Sequence, residues 1–331
     1  MAVLSGGDSK RYKQKGELID KALMDINAKP LLFKIVEDGI NNYDNVIVSL
    51  NNHKRKIKYE GILKPLLKRD NIGFVEDNKK INFIGVGKGI ASVLLKLLPK
   101  TSIQFVPCDR PHLDVRLLRQ LETIKEGVTI LIYENGLIEP LLALYAEDYA
   151  VPPSFIFSFG LSRADVFIRL APRIRLYDAT KIIDMNTLEY RFFLNVNTPR
   201  LNISNFSLEK EDYLLPKSKI IERKNFEPLD SYELNNNPKE WIHHLIEKRH
   251  FFLAFLVAKY LFNNQIFEFD LFSQYVNLTL ESEYKYWMEN NIPFLGLHAL
   301  QDLSYSLQNK VSDEIDTEIK KLKKKLGIKK K

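Results

Sequence analysis

Cysteine is almost missing from this 331-residue chain, which has only Cys108. A single thiol excludes an internal disulfide and any multi-cysteine zinc site, and it fits a reducing compartment. Long apolar runs are missing too. The most apolar stretch, residues 251–262, contains Lys259 and falls short of the ~20 apolar residues a spanning helix needs, so it reads as core. The opening Met1-Ala2-Val3-Leu4 enters a glycine turn without the basic-then-apolar pattern of a secretory leader, and a cytoplasmic protein is expected. No fixed-period repeat or low-complexity tract is present.

A basic body is absent as well. The net charge is +7, but eight of the last twelve residues, 320–331, are lysines, and the rest of the chain stands at −1. That excludes a surface able to track a nucleic-acid backbone, and the lysine tail reads as a solvated helix end. What remains is an ordinary globular composition, 45% hydrophobic and 27% charged, at a length that suggests two domains.

From residue 1 to about 200, β-rich runs such as Val46-Ile47-Val48, Ile103-Gln104-Phe105-Val106 and Val128-Thr129-Ile130-Leu131-Ile132 alternate with stretches of helical spacing at 30–40, 90–98 and 113–121. Such alternation predicts an α/β fold with a doubly wound, mostly parallel sheet. Residues 201–237 are polar and read as a linker. After Pro238, amphipathic and apolar helices over 239–262, 271–290 and 294–325 predict a small all-α domain over 238–331. On the last helix, Ile315, Ile319, Leu322 and Leu326 share one face, which can pack on this domain or on another subunit.

Three segments carry chemistry. Leu4-Ser5-Gly6-Gly7-Asp8-Ser9-Lys10-Arg11 follows a short apolar strand and precedes a polar loop with Lys21. Paired glycines let backbone amides approach phosphate oxygens that Arg11 and Lys21 can neutralise; the alternative is a plain surface turn. Phe105-Val106-Pro107-Cys108-Asp109-Arg110-Pro111 ends a strand in an aspartate, a position that points into the ligand crevice of an open α/β sheet and suits Mg²⁺. Asp109 can equally cap the next helix, a role for which Asp114 competes. Residues 83–90 carry three alternating glycines, with Asp77 upstream, as a loop leading into a helix. Lys88 is followed by glycine, so this is neither a P-loop nor a dinucleotide fingerprint. His243, His244 and His250 lack carboxylate or thiolate companions at ligand spacing and make a weak metal site.

Taken in order, these pieces resemble the molybdenum cofactor guanylyltransferase family over residues 2–200. Leu4-Ser5-Gly6-Gly7 with Ser9 and Arg11 is similar to that family's nucleotide loop, and Asp20-Lys21-Ala22-Leu23 to its Asp-Lys pair. Ala28-Lys29-Pro30-Leu31-Leu32 resembles its step into the first helix, Glu76-Asp77 its acidic pair, and Pro107-Cys108-Asp109-Arg110-Pro111 its Cys-Asp-x-Pro motif. Residues 139–145 are similar to its substrate-side strand, and Asn195-Val196-Asn197-Thr198-Pro199 to its closing asparagine motif. The loop between Arg11 and Lys21 is longer than the family's, and Glu139 stands where Gln or His is common.

The resemblance implies a Rossmann-like three-layer domain over 1–200 that transfers GMP from GTP to molybdopterin with Mg²⁺, releasing pyrophosphate. It implies nucleotide contacts from Leu4, Ser5, Gly6, Gly7, Ser9, Arg11, Lys21, Ser49, Asp77 and Asp109, and substrate contacts from Asn195 and Asn197. Arg11 and Lys21 would counter phosphate charge, and Asp109 would hold the metal. The double glycine favours GTP over CTP. The rival readings are a nucleotidyltransferase for another phosphorylated acceptor and a silent nucleotide-binding paralogue that serves as a partner platform. The helical domain is expected to serve self-association, acceptor delivery or docking to a molybdoenzyme, with neither nucleic acid nor membrane as a partner.

Overall fold

The computed structural model describes residues 1–7, 13–14, 17–18, 20–26, 28–81, 84–97, 101–123, 127–133, 136–147, 149, 163–179, 218–223, 237–307 and 312–328. The chain divides into two compact units. The first comprises Met1–Leu131, Glu139–Ala164 and Tyr177–Lys210; the second comprises Ile132–Ile138, Asp165–Leu176 and Glu211–Lys331. The second unit thus takes in two segments from the first 200 residues, and a strand lies within the stretch that the sequence suggests is a linker.

The first unit is built on β1 (Ala2–Leu4), β2 (Val46–Leu50), β3 (Ile72–Glu76), β4 (Ile103–Pro107), β5 (Val128–Ile132) and β6 (Leu144–Tyr145). Their order across the sheet is β5-β6-β4-β1-β2-β3. β1 pairs in parallel with both β2 and β4, and β2 with β3, while β6 runs antiparallel to β4 and β5. The α/β reading with a mostly parallel sheet therefore holds. The chain steps outward from β1 to β3, then returns to β4 on the other side of β1. This reversal opens a crevice beyond the carboxyl ends of β1 and β4. Leu4 is in register with Ser49 and Pro107, and Leu50 with Glu76. The residues that follow each strand consequently emerge along one edge.

Helix α1 (Leu31–Ile40) matches its expected span and buries Leu31, Leu32, Ile35, Val36 and Ile40, the stripe that predicts it. α2 (His53–Leu63) has no such stripe, burying only Tyr59 and Leu63, so no periodicity announces it. α3 (Gly85–Leu97) begins earlier than its apolar pattern suggests, and the glycines expected in a loop lie in its first turns. Gly89 is the physical reason: a Cβ there would sit 3.1 Å from Ser49 Oγ and 3.8 Å from Leu4 Cδ2. Bare backbone lets the helix close on the strands. The stretch 113–121 forms α4 (Val115–Leu118) and then a 3₁₀ turn, Arg119–Thr123.

In the second unit α5 (Asp165–Leu170) leads to β7 (Arg173–Asp178), which neighbours β8 (Ser218–Glu222). The helices α6 (Pro238–Glu247), α7 (Phe251–Asn263), α8 (Phe269–Glu289), α9 (Pro293–Ser306) and α10 (Asp313–Lys325) follow. The pattern over 239–262 suggests one helix, but Arg249 adopts φ 65° and the amide of His250 returns to the carbonyl of Leu245 at 2.8 Å. That is a Schellman stop made without glycine, and sequence punctuation does not reveal it. The stretch 294–325 likewise splits into α9 and α10. Ile319, Leu322 and Leu326 are buried, so that face of α10 is used within the unit, where α10 packs on α9. No helix among the described residues is long and apolar enough to cross a membrane.

A buried ionic cluster crosses the second unit. Arg169, fully buried, donates to both carboxylate oxygens of Glu283 at 2.8 and 2.6 Å and to Asp302 at 2.5 Å, with Asp165 at 3.6 Å. Its guanidinium lies 3.7 Å from the Phe252 ring centroid. Trp287 Nε1 donates to Glu283 at 2.9 Å, and Arg223 donates to the carbonyl of Arg169 at 2.5 Å. Burial opposes the charge on Arg169, but Glu283, Asp302 and Asp165 outweigh it and hold the guanidinium deeper in its charged range. This network joins α5 to α8 and α9.

Buried phenols give the fold an alkaline limit. Tyr43 and Tyr59 are pushed up, chiefly by burial, and Tyr284 is pushed to about 12 by burial and its 3.0 Å hydrogen bond to Glu318. Unfolded phenols titrate near ~10, so above that pH the unfolded chain sheds protons that the folded chain keeps. Stability is full below ~10 and falls as pH rises toward 12. The last part of the tyrosinate absorbance rise should therefore accompany the loss of far-ultraviolet circular dichroism; complete ionisation of the tyrosines with unchanged dichroism would contradict this.

Candidate nucleotide site

The crevice at the carboxyl ends of β1 and β4 holds an open pocket. Leu4, Ser5, Gly6, Gly7, Lys21, Ser49, Asp77 and Asp109 all line it, although up to 105 residues separate them in the chain. The parallel register brings them together. Ser9, Arg11, Asn195 and Asn197 lie outside the described residues.

The glycine turn is pinned from below. Ser5 donates twice to the carbonyl of Ser49, from its amide at 3.0 Å and its hydroxyl at 2.7 Å. The Ser5 hydroxyl is thereby committed to the scaffold, leaving backbone at Gly6 and Gly7 to face the pocket. The amide of Asp77 is held by the carbonyl of Leu50 at 2.9 Å, and that of Cys108 by the carbonyl of Leu4 at 3.1 Å. Each strand end thus fixes the loop of its neighbour.

Lys21 Nζ lies 3.4 Å from Asp109 Oδ2, both side chains partly exposed to the pocket. Opposite charges share one wall, suited to a phosphate on one side and a hard cation on the other. The cap alternative for Asp109 is settled by α4, where Asp114 accepts from the amide of Arg116 at 3.0 Å. Hydrogen bonds from Arg116 hold the Asp114 carboxyl below its ordinary range. Cys108, buried beside Asp109 and Asp20, is pushed well up, first by burial. It is a neutral thiol and not a nucleophile.

Several pocket residues go beyond the site predicted from sequence. Asp20, Ala22, Gly85, Val86, Gly89 and Leu141 line it. Gly85, Val86 and Gly89 belong to the glycine-rich segment, whose helical start brings them over the strand ends. The substrate-side segment is mostly a 3₁₀ turn, Pro140–Leu142, with only Leu144–Tyr145 in a strand. Beside it Glu139 pairs with buried Arg110. His243, His244 and His250 do not gather: His243 faces Tyr275 at 3.3 Å and His250 precedes α7 as a buried cap. Among the described residues no group of three or more His, Cys, Asp or Glu side chains could hold a metal.

Residues 1–152 match the family model described as the MobA-like NTP transferase domain. Molybdenum cofactor guanylyltransferases of Vibrio campbellii and Vibrio parahaemolyticus are each 26% identical to this chain over 201 residues, 60% of this chain and 89% of theirs. A solved structure of molybdopterin-guanine dinucleotide biosynthesis protein A from Archaeoglobus fulgidus aligns at 24% identity with a TM-score of 0.47, covering 60% of this chain and 92% of that one. The match over residues 1–152 and the likeness to these guanylyltransferases support a nucleotidyltransferase domain of the MobA-like type in this part of the chain.

Proposed function

We propose that the first unit transfers GMP from GTP to molybdopterin in a Mg²⁺-dependent reaction, releasing pyrophosphate. The observation that carries this reading is the Lys21–Asp109 pair at 3.4 Å beside the exposed backbone of Gly6 and Gly7, at the switch point of the sheet. The curated relatives are named as guanylyltransferases, and the double glycine favours the same base.

In this reading the amides around Gly6 and Gly7 hold the triphosphate, and Lys21 and Arg11 counter its charge. Leu4, Ser49 and Asp77 face the nucleoside, Ser5 keeps the glycine turn in place, and Ser9 completes it. Asn195 and Asn197 meet the acceptor. A phosphate oxygen of the acceptor attacks the α-phosphorus in line; the bond to the β-phosphate bridge breaks, and pyrophosphate leaves. That nucleophile is already ionised, so no general base is needed, and positioning with charge neutralisation does most of the work.

Asp109 fits Mg²⁺ as a single carboxylate ligand, because this ion keeps waters and substrate phosphates around one or two protein oxygens. Bound there, it would neutralise charge on the phosphates. The domain over 1–200 would act in the cytoplasm, with the helical part over 238–331 delivering acceptor, docking a molybdoenzyme or pairing with a second copy.

Binding of GTP, CTP, ATP and UTP by calorimetry tests the base assignment. GTP should bind at least about tenfold more tightly than the others, a difference of ~1.4 kcal/mol; equal affinities would refute a guanine preference.

A further inference from the structure

Helix α2 supplies two side chains, one turn apart, that hold both phosphate-facing loops of the pocket, yet neither lines the pocket itself. Tyr59 is fully buried, with its hydroxyl 3.0 and 3.2 Å from the two carboxylate oxygens of Asp20 and 3.2 Å from the carbonyl of Ser5. Arg55, mostly buried, places Nε 3.5 Å from Asp20 and donates to the Ser5 carbonyl at 3.4 Å. A phenol has one proton, so the two acceptors are served together only if Tyr59 and Arg55 divide them.

The consequence reaches the reacting groups from two directions. Ser5 directly precedes the Gly6-Gly7 backbone. Asp20 directly precedes Lys21 and also caps its 3₁₀ turn, accepting from the amide of Ala22 at 3.2 Å. Asp20 thereby fixes the backbone from which Lys21 reaches Asp109. The rest of α2 is basic and mostly solvent-facing, so the buried, hydrogen-bonded Arg55–Tyr59 face stands apart from a general surface helix.

We propose that Arg55 and Tyr59 are positioning residues, a latch that orients the glycine turn and Lys21 around a bound nucleoside triphosphate. The latch rests on the nucleotide-site reading given above and deepens it. Tyr59 acts on the ligand only through Asp20 and Lys21 on one side and Ser5 on the other. Tyr59→Phe keeps the buried ring and removes the hydroxyl alone, leaving Asp20 short of a donor.

The test is a double-mutant cycle read by calorimetric binding of GTP, with and without Mg²⁺, in the full chain. Tyr59→Phe should weaken binding about tenfold, the order expected for one lost hydrogen bond to a charged group. In the Lys21→Ala background the same substitution should cost less than about threefold, because the group it positions is gone. Arg55→Lys, which keeps the charge, should recover most of the affinity that Arg55→Met loses. Wild-type affinity in Tyr59→Phe, or an equal loss in both backgrounds, would overturn the latch while leaving the nucleotide site standing. A wild-type protein that binds no triphosphate would overturn both.

Discussion

Asp109→Ala is expected to lower pyrophosphate release by about 10³-fold or more, the scale seen when one preorganised charge-stabilising group is deleted, with the fold unchanged. Asp109 sits at the end of β4 and is partly exposed, and its neighbouring turn is held by backbone bonds and by Asp114, not by its own carboxylate. Losing it removes a negative charge beside Lys21. The pocket becomes more positive, so GTP binding without Mg²⁺ should hold or tighten while turnover collapses. That opposition separates a metal-ligand role from a structural one. Steady-state rates, calorimetric binding and thermal melting of the same preparation check it, and retained turnover would remove Asp109 from the mechanism.

Arg169→Met is expected to destabilise the second unit by about 3–5 kcal/mol, the range found when one partner of a buried ion pair is removed. The cost comes from what remains. Glu283 and Asp165 are almost wholly buried, and both lose the guanidinium that balances them. Arg169→Met with Glu283→Gln should recover part of the loss, because the most buried carboxylate is then neutral. Urea denaturation followed by tryptophan fluorescence reads this directly, since Trp287 donates to Glu283. A single variant that unfolds at the wild-type urea concentration would show that the cluster contributes little.

The sheet edge of the site was legible because its parts are local. A glycine pair after one strand and an aspartate after another each announce a strand end, and parallel register does the rest. Gly85, Val86 and Gly89 were half legible: their composition stood out, but their helical start depends on Gly89 meeting Ser49 at close range, which spacing does not show. Arg55 and Tyr59 were not legible, because α2 carries no apolar stripe and their partners lie 50 and 39 residues away. The Arg169 cluster was hidden for the same reason. Its partners stand 114 and 133 residues along the chain, and charges in sequence read as solvated until a fold buries them. Helix stops at Arg249 and Asn291, both at positive φ without glycine, escaped the usual punctuation.

The central claim is nucleotidyl transfer from GTP, and the most direct measurement is pyrophosphate release from GTP, CTP, ATP and UTP with Mg²⁺, each with and without molybdopterin. Release from GTP alone, only with molybdopterin, and in step with formation of a guanine dinucleotide is the predicted result; GTP that binds but releases no pyrophosphate under any of these conditions would contradict it.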